Sequence, residues 1–189
     1  MNKKTNLAKG LFTFLGVICF TFLLVVNEAS ADSLSNEIDN NLIKIATQGI
    51  DAEIYVDPTE TDNVFFFMNG STYKIKDNKL AKDTSSTLSG NIGTYATDTY
   101  KVTLKNGYTN YKVKRVSKGT TMMYNTYGPA ELREIQILKG GNSGTVIAKL
   151  KKAEYGVGTG ITASGTDNYS FKVTNYSATT QTWECKITF

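Results

Sequence analysis

The chain has 189 residues, with 21 Lys and Arg against 17 Asp and Glu, two cysteines and no histidine. Without an imidazole of near-neutral pKa, the usual Ser-His-Asp and Cys-His proton relays are excluded, and so are zinc sites built on histidine. Cys19 and Cys185 are too few to assemble a thiolate zinc cluster within one chain.

Residues 1–31 read as a cleavable secretion signal. Lys3, Lys4 and Lys9 form a basic start, Leu11 to Val26 an apolar core, and Ala29-Ser30-Ala31 a small-residue cleavage site. The apolar run of 16 residues falls short of the roughly 20 that a spanning helix needs, so no integral membrane anchor is expected after cleavage. Cys19 follows Ile18, where a lipoprotein signal carries a small residue, and is expected to leave with the signal.

Cleavage after Ala31 leaves 158 residues, lowers Lys and Arg from 21 to 18 and Asp and Glu from 17 to 16, and brings the net charge from +4 to +2. That balance argues against nucleic acid as the partner. The expected setting is extracellular, and the Lys- and Asn-rich start suits a Gram-positive bacterium. Cys185 then has no intrachain partner. It reads as a small buried hydrophobe, with an intermolecular disulfide as the alternative.

Residues 32–51 are expected to form one helical segment. Ile38, Leu42 and Ile45 recur at helical spacing over 35–48, Ser35 suits the N-cap and Gly49 the stop. The polar face is not strongly basic, so packing on a sheet is favoured over a membrane surface.

From Ala52 to Phe189 short β-prone runs are divided by Gly, Asn, Asp and Ser turns, which predicts an all-β antiparallel sandwich, jelly-roll-like or similar, of 8 to 10 strands. The predicted strands are Glu53 to Val56, Val64 to Met68, Thr72 to Lys76, Thr99 to Lys105, Tyr111 to Val116, Thr120 to Tyr124, Leu132 to Leu138, Thr145 to Lys151, Tyr169 to Thr174, and Thr182 to Phe189. Asn69-Gly70 and Asn106-Gly107 read as hairpin turns that join sheet neighbours. Val64 to Met68, apolar throughout, is expected to be a central strand buried on both faces. The alternations Tyr169, Phe171, Val173 and Trp183, Cys185, Ile187 predict inward faces on a closing two-strand unit.

The chemistry-bearing candidates are few. Asp57, Glu60 and Asp62 gather hard oxygen ligands in one loop and suggest calcium, without the EF-hand spacing; no other cofactor is expected. The glycines from Gly156 to Gly165 lack the strand-then-helix context of a phosphate loop and read as a flexible loop. Tyr124, Tyr127 and Tyr155 are the candidate ligand-binding tyrosines, since each offers an apolar face and a hydroxyl near a predicted strand end. Glu131 and Glu134, three apart on a strand, point to opposite faces and do not suit a paired-carboxylate hydrolase. The sequence therefore predicts a secreted, non-enzymatic β-sandwich that binds a cell-surface glycan or a protein. The alternatives are a pore-forming toxin that inserts the Ser- and Thr-rich segment Thr84 to Thr99, and an extracellular enzyme inhibitor.

Overall fold

A computed structural model describes residues 41–47, 52–68, 70–84, 96–129, 133–151 and 157–189. Among them are 13 strands: β1 (Ile43–Ile45), β2 (Glu53–Val56), β3 (Val64–Met68), β4 (Ser71–Lys76), β5 (Lys79–Lys82), β6 (Thr97–Leu104), β7 (Thr109–Val116), β8 (Thr121–Tyr127), β9 (Arg133–Lys139), β10 (Thr145–Lys151), β11 (Gly158–Thr162), β12 (Asp167–Asn175) and β13 (Gln181–Thr188). They build two antiparallel sheets, a six-stranded one in the order β1-β2-β10-β9-β12-β7 and a seven-stranded one in the order β5-β4-β3-β11-β8-β13-β6. The molecule is the expected all-β sandwich. The signal segment lies outside the described residues. Among those described, no helix is long and apolar enough to cross a membrane.

All ten predicted strands are present, and three more were not expected. The first is β1, which falls within the helix predicted over 35–48. Ile43 and Ile45 alternate with Lys44 and pair with Val56 and Ile54 of β2, so a period of two prevails there. Residues 35–40 and 48 of that predicted helix lie outside the described set. The second is β5, joined to β4 by Asp77 and Asn78, both at positive φ (52° and 56°). Both residue types tolerate the left-handed region, and the pair serves the role that Asn-Gly fills more often.

The third is β11, which occupies the stretch expected to be a flexible glycine loop. Its glycines are set by close approach. A Cβ on Gly160 would lie 2.3 Å from the Phe65 ring and 2.6 Å from the Met122 carbonyl oxygen, and one on Gly158 would lie 1.9 Å from Asn125 Oδ1. Phe65 covers the bare backbone of its neighbour strand, with its ring edge-on to Phe67 at 5.5 Å, which accounts for the apolar run in β3. Gly160→Ala is expected to cost about 1–3 kcal/mol in urea denaturation. Adding Phe65→Ala should recover only part of that, because the Met122 carbonyl stays in the way; a Gly160→Ala chain as stable as the wild type would refute this packing.

Two pairings differ from expectation. Gly107 has the positive φ (78°) predicted for the Asn106-Gly107 turn, yet the strands on either side enter different sheets. Gly107 N–H donates to Asn175 O (2.7 Å), Asn175 N–H to Tyr108 O (3.0 Å), and the buried Asn175 side-chain amide to Leu104 O and Thr179 O (each 2.8 Å). This network makes the turn a corner that carries the chain across the sandwich. The second difference is β12 and β13, which are not hairpin partners but belong to different sheets, each turning its apolar face to the core. Alternation determines which face is buried and leaves the partner strand open.

Between the sheets lie Ile54, Val56, Phe66, Met68, Met122, Tyr124, Ile135, Ile137, Tyr169, Phe171, Trp183 and Cys185, all essentially excluded from solvent. One side of the sandwich is closed by backbone hydrogen bonds, Ala46 N–H to Asn78 O (3.1 Å) and Leu80 N–H to Ala46 O (3.2 Å), which tie the chain after β1 to β5. On the opposite side run the edge strands β6 and β7.

Candidate functional site

Of the residues predicted to bind a ligand or metal, those described do not form one site. Tyr124 is fully buried rather than on a surface: its ring packs on Phe171 (centroids 5.5 Å apart) and its hydroxyl lies 3.4 Å from the Tyr100 hydroxyl. Tyr127, three residues on, points to the outer face, half-buried opposite Glu184. Tyr155 and Glu131 lie outside the described residues, as do residues 85–95 of the segment Thr84 to Thr99; Thr97 and Thr99 are in β6.

Two of the three carboxylates of the predicted calcium loop, Asp57 and Glu60, are taken up locally, and Asp62 is exposed in the turn before β3. Asp57 Oδ1 accepts the Thr59 N–H (2.8 Å) and hydroxyl (2.7 Å), capping the 3-10 turn Pro58–Glu60. Glu60 is buried and accepts from Lys139 Nζ (2.9 Å), Ser164 Oγ (2.8 Å) and Asn63 Nδ2 (2.9 Å). Burial draws its carboxyl upward, but these three donors together outweigh it and hold the group below its usual range. Among the described residues, no group of three or more His, Cys, Asp or Glu side chains is placed to hold a metal ion.

Other ionisable groups serve the fold. Glu134 lies buried on the outer face of the six-stranded sheet, hydrogen-bonded by Gln136 and 3.8 Å from Lys151; burial raises its pKa against the pull of Lys149 and Lys151. Within the core, burial also raises the Cys185 thiol, although Tyr124, Tyr100 and Arg133 oppose it. A protonated, solvent-free thiol is not a nucleophile. The buried Arg133 donates to Pro129 O (3.0 Å) and Thr126 O (3.1 Å), and burial pulls its guanidinium down to about 10, which still leaves it charged at neutral pH.

The edge formed by β6 and β7 is different. All the exposed large hydrophobics among the described residues lie on β7 or at the adjoining corner: Tyr108 (43% exposed), Tyr111 (42%), Val113 (42%) and Tyr176 (48%). The inward positions of β7, which on a central strand would be apolar, hold Lys112 and Lys114. Both reach across the gap to Asp98 of β6, at 3.5 and 2.8 Å, and stack over the rings of Tyr100 (5.5 Å) and Phe189 (5.0 Å). The hydrogen bond from Lys114, with Lys112 adding to it, holds the Asp98 carboxyl below its usual range despite some loss of hydration. Inward-pointing charge on an edge strand seals the seam between the sheets and discourages edge-to-edge pairing with other chains.

No protein-family model matches the chain, and no curated protein matches it. Among solved structures, Aeromonas hydrophila PliG, a periplasmic lysozyme inhibitor of g-type lysozyme, is similar at 14% identity over 50% of this chain and 87% of that one, with a TM-score of 0.42. The dTDP-4-dehydrorhamnose 3,5-epimerase of Elizabethkingia anophelis is similar at 11% identity over 71% and 75% of the two chains, with a TM-score of 0.22. Both scores are too low to mark a shared fold.

The β6–β7 edge is also where the charge of the chain concentrates. Six of the 18 Lys and Arg after Ala31 (Lys101, Lys105, Lys112, Lys114, Arg115 and Lys118) fall in residues 97–118, against one of the 16 Asp and Glu, Asp98. This ribbon carries +5 and the rest of the chain after Ala31 carries −3. The net charge of +2 conceals the contrast; a running count along the sequence reveals it.

Proposed function

We propose that the domain is a non-catalytic binding module that works outside the cytoplasmic membrane, engaging a cell-surface component through the β6–β7 edge. The observation that carries this reading is the gathering of exposed aromatic and apolar side chains on that one edge, while the buried acids Glu60 and Glu134 and the Cys185 thiol are engaged within the fold. Tyrosine suits such a surface because it offers a rigid apolar face at low entropic cost together with a hydroxyl. The secretion signal read in residues 1–31 supplies the compartment.

The test is co-sedimentation of the chain from Asp32 onward with isolated cell-wall, membrane and medium fractions. Retention on a surface fraction is expected, reduced at least tenfold by Tyr111→Ala combined with Val113→Ser. Equal retention of the variant, or no retention of either protein on any fraction, would overturn the reading.

A further inference from the structure

We infer that the partner of the β6–β7 edge is a polyanion with regularly repeated phosphodiesters, of the polyol-phosphate kind found on cell surfaces. This rests on the binding-module reading and gives its partner a chemistry. Lys112 and Lys114 are committed to Asp98. Lys101, Lys105, Arg115 and Lys118 are all exposed and have no ion-pair partner among the described residues. Lys101 lies midway along β6, Lys105 at the corner, Arg115 near the end of β7 and Lys118 just beyond it. By alternation Lys101, which pairs in register with Glu184, and Lys105 face outward from the seven-stranded sheet, and Arg115 faces outward from the six-stranded one, so the cations flank the edge on both sides over the length of an eight-residue strand, about 26 Å at roughly 3.3 Å per residue. Cations spread over that length on both flanks of one edge match a chain that bears many charges and follows the edge better than a single anionic group.

The composition of the edge selects among polyanions. Three of the four free cations are lysines, in a chain that carries 16 Lys and 2 Arg after Ala31. Lysine is a mobile point charge that follows phosphates without demanding fork geometry. Tyr108 and Tyr111 lie between Lys105 and Arg115 in the ribbon and offer faces to the carbon backbone between phosphates. Secretion, expected from residues 1–31, sets a surface polymer ahead of nucleic acid.

The test uses short poly(glycerol phosphate) as the probe, with binding followed by calorimetry across a salt series. Binding at low salt is expected, weakening steeply with salt as counterions are released. Lys101→Gln, Lys105→Gln and Lys118→Gln in one chain should weaken it at least tenfold and reduce the log–log salt slope by about 2, at roughly 0.7 per cation removed. All three residues are exposed, and an unchanged circular dichroism melt confirms that the variant folds. No binding of the probe at low salt, or unchanged affinity in the triple variant, would overturn the inference. Tighter binding of single-stranded DNA of equal phosphate number would overturn it in favour of nucleic acid, and equal binding to phosphatidylglycerol vesicles in favour of a membrane. Should the triple variant still be retained on cell walls, the polyanion falls and the binding module stands; should the wild type bind neither walls nor the probe, both fall.

Discussion

Trp183→Ala is expected to lower the free energy of unfolding by about 3–5 kcal/mol, the largest effect of any single truncation in this core. Trp183 lies at the centre of the inward face of β13, between β8 and β6, with none of its side chain exposed. Removing the indole empties the largest fully buried side-chain volume in the molecule. The backbone is fitted to the ring: Gly128 approaches so closely that a Cβ there would lie 2.8 Å from Trp183 Cδ1, at a φ of +152° that disfavours other residues. That segment has little room to collapse into the void, so the cavity cost is paid in full. The hydrogen bond from Nε1 to Pro129 O is long, 3.4 Å, and Arg133 also holds that carbonyl, so the loss is mainly packing. Trp183→Phe should therefore cost clearly less than Trp183→Ala. Far-UV circular dichroism in urea is the suitable measurement, because the variant lacks the only tryptophan. A midpoint shift with unchanged slope is expected. A Trp183→Ala chain within about 1 kcal/mol of the wild type would show that the site collapses.

The sequence carried the faces of the strands more reliably than their partners. Alternation from Tyr169 to Val173 and from Trp183 to Ile187 identified core residues that are indeed buried, because a period of two follows directly from strand geometry. It could not say that these strands belong to different sheets, since facing across a core and pairing within a sheet demand the same pattern. Asn106-Gly107 failed in the same way: the turn conformation is local, whereas the corner is made by Asn175, nearly 70 residues away in sequence. β11 was hidden because Gly158 and Gly160 weaken strand propensity, and only the Phe65 ring beside them explains the choice. Tyr124 illustrates the limit for site residues. Its composition-level appeal as a ligand-binding tyrosine is identical to that of Tyr111; burial alone separates them. The basic ribbon, by contrast, was legible in the residue order and obscured by summing charge over the whole chain.

The two buried glutamates should give stability opposite dependences on pH. The folded pKa of Glu60 lies below its unfolded value of roughly 4.3, so its contribution is fully present above that value and is lost as pH falls through the folded one. The folded pKa of Glu134 lies above its unfolded value, so its contribution is fully present below that value and is lost as pH rises through the folded one. Glu60→Gln is expected to destabilise the chain at pH 7 by about 1.5–3 kcal/mol, the range for hydrogen bonds to a charged group, with the deficit shrinking toward pH 3. Its contacts link the β2–β3 loop to β9 and to the β11–β12 loop, so the loss should also appear as faster amide exchange at Asn63 and Ser164. Glu134→Gln changes in the other sense: relative to the wild type it should gain stability as pH rises from 3 to 7, because a neutral amide at that site escapes the desolvation that ionised Glu134 bears. Urea midpoints for the three proteins across that range decide the matter. Parallel curves would mean that neither carboxyl is perturbed by its surroundings; divergence in opposite directions would assign the downward shift to the donors around Glu60 and the upward one to burial of Glu134 beneath an otherwise basic sheet face.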